Sequence, residues 1–158
     1  MAFPRRVYTQ DEVRRAKSLI DGGYRHRLRI IGSPEFKSKV KDALSLIKEA
    51  GRYDFLRRNI RAIVEIEGLS QLREAEASIW MNRYAVEDPF EAAGFIIQKA
   101  WQMDAYLRGV LYYGHVGETA AVSVRISFLR ELKAKSRDPK VREECERRLR
   151  LWEESKFL

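Results

Sequence analysis

Three of the chain's four prolines stand directly behind a residue that can cap a helix: Ser33-Pro34, Asp88-Pro89 and Asp138-Pro139. Proline lacks the amide hydrogen that a first helical turn leaves unbonded, and its φ is already helical, so each pair reads as a helix start. The residues that follow keep helical spacing: Phe36, Val40, Leu44 and Ile47 after the first start, ending at Gly51, and Val141, Cys145, Leu149 and Trp152 after the third. Asp88-Pro-Phe-Glu91 is also a capping box and launches a long helix to about Gly109. A second capping box, Thr9-Gln-Asp-Glu12, opens a helix with Val13, Ala16 and Leu19/Ile20 on one face, which Asp21-Gly22-Gly23 stops. A further helix is predicted from about Gly117 to Lys135, after a turn rich in aromatics and glycine, Tyr112-Tyr113-Gly114-His115.

Between these helices the periodicity changes to two. From Tyr24 to Ile31, Arg25, Arg27 and Arg29 fall on one face and Tyr24, His26, Leu28 and Ile30 on the other, which predicts a strand. Ile60 to Gly68 reads as a second strand and Ala77 to Asn82 as a third, while the strong helix formers of Gln71–Glu76 blur the start of the third. Asp54–Asn59 adds a helical turn. The expected fold class is α+β: a small mixed or antiparallel sheet packed against several helices, two of them long and in the C-terminal half. No repeat, low-complexity stretch or linker divides residues 1–158, so one domain is expected, with a basic N-terminal helix and strand in residues 1–33.

A chain of 158 residues can bury roughly two-thirds of its unfolded surface without a covalent staple. Its single Cys145 excludes an internal disulfide framework or a cysteine-based zinc cluster. No apolar run approaches the roughly 18 residues of a membrane span, and no apolar segment follows the N-terminal MAFPRRVYTQ. A soluble, cytoplasmic protein with no membrane partner is therefore expected. The formal charge is +8, and its distribution matters more than its size. Residues 1–33 hold eight Lys and Arg against three Asp and Glu; the remainder is close to balanced. Nucleic-acid binding would have to rest on the N-terminal part, where a strand face of Arg25, Arg27 and Arg29 would space guanidinium groups about 7 Å apart. The same pattern also describes the charged, solvated face of an edge strand.

The order of elements resembles the zincin-like metallopeptidases, specifically small bacterial domains with an HExxH helix and a glutamate on the following helix. Phe36–Ile47 resembles their first core helix, and Ile60–Gly68 with Ala77–Asn82 their central strands. Ala93–Gln102 followed by Gly109 is similar to the metal-binding helix, and Gly117-Glu118-Thr-Ala-Ala121 to the helix that supplies the ligand glutamate. In that motif residues i and i+4 share a helix face, so two imidazoles hold zinc while the intervening glutamate is the base. Here the three positions are Gln98, Lys99 and Gln102, and only Glu118 matches its ligand position. Carboxamides are poor zinc ligands beside imidazole, and a lysine places a cation near the metal.

The resemblance thus implies a degenerate, non-catalytic member: a pseudo-metallopeptidase with no metal or other cofactor, acting by binding an unknown protein or peptide ligand in the former active-site groove. Gln98, Lys99, Gln102 and Glu118 should then lie together, with a glutamine amide or Lys99 satisfying the Glu118 carboxylate. The alternative is a nucleic-acid-associated accessory protein using Arg25, Arg27 and Arg29. An active hydrolase is disfavoured because base and ligands are missing. His26 and His115 lack a named partner, Cys145 lies on an apolar stripe, and Ser70 and Ser78 have no nucleophile-elbow context. Trp80, Trp101, Tyr106, Tyr112 and Tyr113 are expected as core or cleft lining.

Overall fold

The computed structural model describes residues 2–155. The chain is α+β, with helices α1 (Gln10–Asp21), α2 (Pro34–Glu49), α3 (Tyr53–Asn59), α4 (Pro89–Arg108), α5 (Gly114–Lys135) and α6 (Pro139–Ser155) around four strands. The strands are β1 (Arg29–Ile31), β2 (Ala62–Ile66), β3 (Gln71–Arg73) and β4 (Ser78–Asn82), in the spatial order β1-β2-β4-β3. β1, β2 and β4 are parallel, and β3 pairs antiparallel with β4, so the sheet is mixed with an antiparallel edge.

The helix starts follow the capping chemistry. Thr9 and Glu12 exchange both bonds of the capping box, the Ser33 hydroxyl accepts from the Phe36 amide, and Asp88 accepts from the amides of Phe90 and Glu91. Two strand expectations change. Gln71–Arg73 is extended despite its helix formers, because pairing with β4 satisfies its backbone, and the helical tendency is confined to one tight turn at Glu74–Glu76. Ala77, with φ 51°, then reverses the chain into β4. At the N-terminal side only Arg29–Ile31 is strand. Residues 24–28 carry no ladder and join the sheet region through isolated bonds such as His26 N–H to the Arg57 carbonyl, 2.8 Å.

Register fixes which side chains face the helices. Ile30, Ile63, Ile79 and Leu72 lie abreast and turn toward α2 and α4, where Ile63 and Ile79 join Val40, Ile47, Ile96 and Met103 in the core. Burying each such side chain contributes about 1.5–3 kcal/mol. The opposite face carries one row of Arg29, Ala62, Ser78 and Arg73 and a second of Ile31, Val64, Trp80 and Gln71. Val64 and Trp80 are half-buried and lie outside the core.

The segment from Phe3 to Val7 closes the other end of the molecule. Phe3 stacks on Tyr24 and meets His26 edge-on; Arg61 donates to the carbonyls of Pro4 and Arg5; the buried Val7 gives its N–H to the Ala75 carbonyl and receives the Tyr106 hydroxyl. Among the described residues no helix is long and apolar enough to cross a membrane.

Candidate functional site

α4 is apolar over most of its circumference because it is packed on three sides, by α2, by α3 and by α5. The remaining strip holds the polar residues of the motif, Gln98, Lys99 and Gln102, all half-buried. This strip is flanked on two sides, with Tyr112 and Glu74 joined beside it. One flank is the end of β3 with the turn at Glu74; the other is α5 with the loop that leads into it.

Arg125 of α5 donates from Nε to Gln98 Oε1 at 2.6 Å and lies 3.5 Å from the Glu91 carboxylate. Tyr112 donates its hydroxyl to Glu74 Oε2, bridging the two flanks. Gly117 is what allows this. A Cβ there would come 2.2 Å from the Tyr112 carbonyl carbon, so only glycine lets α5 ride directly on the Tyr112 backbone. Burial and the acceptor carboxylate of Glu74 push the Tyr112 phenol well above its ordinary value, so Tyr112 remains a hydrogen-bond donor.

Lys99 has no carboxylate within ion-pair distance among the described residues. Its ammonium lies 5.0 Å from the centroid of the Phe95 ring. Burial and the charge of Arg125 lower its pKa, and Glu74 opposes them. Arg125 is pushed in the same direction by burial. The strip therefore carries one half-buried cation without an ion-pair partner among the described residues, Lys99, with Arg125 of α5 nearby and paired with Glu91.

Glu118 is placed differently from the other three. Gln98, Lys99 and Gln102 share the strip, but Glu118 is exposed and has no hydrogen bond or ion pair among the described residues. α5 packs along α4, where Arg125 lies beside Gly94 and reaches Glu91 on one side and Gln98 on the other. The partner of Gln98 is thus Arg125, not Glu118. Arg125 could have been noticed in the sequence, since it falls between Ala121 and Phe128/Leu129 on the buried stripe of its helix, an unusual place for a guanidinium. Among the described residues no group of three or more His, Cys, Asp or Glu is arranged to hold a metal ion.

The arginine stripe is corrected. Arg25 donates to Asp54 at 2.7 Å and to the Tyr24 carbonyl at 2.7 Å, so it is spent on joining the extended segment to α3. Arg27 and Arg29 are exposed, but only Arg29 is in the sheet.

The aromatic set divides. Tyr106 is tied to the Val7 carbonyl and Tyr112 to Glu74, and Tyr113 is exposed beside Tyr112. Trp101 lines an apolar pocket of about 490 Å³ between α3, α4 and α5, with Phe55 and Phe128. Trp80 stands on the outer face of the sheet.

The other candidate nucleophiles and bases are occupied elsewhere. The Ser70 hydroxyl accepts from the Asn82 amide, and Ser78 donates to the Glu76 carbonyl. Cys145 is buried, and burial pushes its thiol up to about 11. His115 is exposed, and His26 is enclosed by Phe3 and Tyr24. No family model, curated protein or solved structure matches the chain.

Proposed function

We propose that the chain is a non-catalytic binding protein on a zincin-like scaffold whose metal site has been lost, and that the strip around Lys99 holds an acidic peptide segment of a protein partner. The observation that carries this reading is Lys99, half-buried without an ion-pair partner among the described residues, with the guanidinium of Arg125 nearby although it is also paired with Glu91. A carboxylate reaching the strip pairs with the half-buried ammonium. The antiparallel edge strand β3 adds a second contact. Its only backbone ladder among the described residues is with β4, so its free edge can receive an extended peptide.

Fluorescence anisotropy with two labelled ten-residue peptides, one rich in Asp and Glu and one rich in Lys, tests the reading. The acidic peptide binds, the basic one does not, and Lys99→Glu weakens the acidic complex by about tenfold or more, the worth of one charge-assisted contact. Peptide hydrolysis above background, or one tightly held zinc per chain in protein prepared without chelator, overturns it.

A further inference from the structure

The outer face of the sheet is built unlike the rest of the surface. Its first row places an arginine at each end, Arg29 and Arg73, with the small residues Ala62 and Ser78 between them. Three strand spacings separate the two ends, about 14 Å. The result is a shallow trough whose floor, Ala62 and Ser78, is itself buried, each residue 6% exposed. Its neighbouring row supplies Trp80, half-buried and outside the core, with the Arg73 guanidinium 4.3 Å from its ring centroid. Arg27, two residues before Arg29 and outside the sheet, is also exposed. No carboxylate occupies an outward position of the four strands; the nearest is Glu76, in the turn after β3, 3.6 Å from Arg73.

From this arrangement we infer that the outer sheet face is a platform for single-stranded nucleic acid, separate from the strip on α4. The argument is one of matched chemistry. Guanidinium groups at the two ends of a trough suit a phosphate backbone crossing the strands, and small residues between them let that backbone approach. Trp80 offers a π-surface in the next row, where an unpaired base that stacks takes the place of the Arg73 guanidinium now 4.3 Å over the ring and turns it to a phosphate. An acidic protein would use the charges but leave the indole and the trough unexplained. Paired bases present no free face for stacking, so a duplex satisfies only the arginines.

Anisotropy with fluorescein-labelled U15 and dT15 in 50–300 mM KCl tests the inference on the whole chain. Micromolar or tighter binding at 50 mM is expected, falling with salt with a log–log slope of about −0.7 for each phosphate neutralised. Arg29→Glu and Arg73→Glu each make the slope shallower. Trp80→Ala weakens binding by about 5-fold or more at every salt concentration and leaves the slope unchanged, as loss of one stacked base requires. Circular dichroism and melting curves confirm that each variant is folded. If Trp80→Ala does not fold, Trp80→Phe keeps a ring and should retain most of the affinity, whereas Trp80→Leu should not. The inference is overturned by absence of binding at 50 mM KCl, by equal affinity for a duplex of the same length, by displacement of U15 with polyglutamate at equal charge, or by binding insensitive to Arg29, Arg73 and Trp80.

Discussion

His26 shows how far a single residue can depart from the role its type suggests. Histidine is the side chain that ordinarily titrates near neutral pH, yet here its ring is 1% exposed, flanked by Phe3 and Tyr24, and its Nε2 has no partner among the described residues. Burial, assisted by the nearby charges of Arg61 and Arg57, pushes its pKa down to about 4. The unfolded chain, with a histidine near 6.5, binds the proton first. Stability contributed by the neutral ring is therefore complete above about pH 6.5 and is lost as pH falls toward 4, at up to about 1.4 kcal/mol per pH unit. Urea unfolding at pH 7 and pH 5 checks this: His26→Phe should lose less stability between the two than wild type, and parallel losses would refute it. In the sequence, the alternation of Tyr24 to Ile31 already turned His26 inward, but nothing there disclosed its enclosure by Phe3, 23 residues earlier in the chain.

Elements were legible where their ends carry local chemistry and illegible where a neighbour decides. The caps at Thr9, Ser33 and Asp88 act within three residues of themselves, so sequence alone locates α1, α2 and α4. β3 is the opposite case. Its three residues favour helix, and only the ladder to β4 makes them a strand. The cap of α4 also ties two helices together, since the second Asp88 oxygen accepts from Arg148 of α6 at 2.5 Å while Arg148 also reaches Glu91 and Glu144. Asp88→Ala should cost about 1–2 kcal/mol in urea unfolding, from lost capping and one lost guanidinium contact, whereas Asp88→Asn, which keeps a capping oxygen, should cost less. Equal losses for the two would mean that the Arg148 pairing, rather than the cap, carries the effect.

At the scale of the whole molecule, the sequence located the strip Gln98, Lys99 and Gln102 through spacing along one helix, but the group opposite it depends on how α5 docks. That docking brings Arg125 to Gln98, while Glu118 is exposed. A graft makes the difference measurable. Gln98→His, Lys99→Glu and Gln102→His together should respond to zinc only weakly, because Arg125 still faces the first imidazole. Adding Arg125→Ala should let zinc raise the melting temperature by roughly 5–10 °C at a hundred times its Kd, with no rise in wild type. If that response survives Glu118→Ala, the third ligand is another group. The segment from Phe3 to Val7 has a consequence of a different kind. It is held by Arg61, Ala75 and Tyr106, the last 99 positions away, so during synthesis it emerges long before the hydroxyl that fastens it exists. Until α4 has been translated, the buried seat of Val7 is missing. This stretch must therefore wait for its site, and its docking is a step that comes late in assembly.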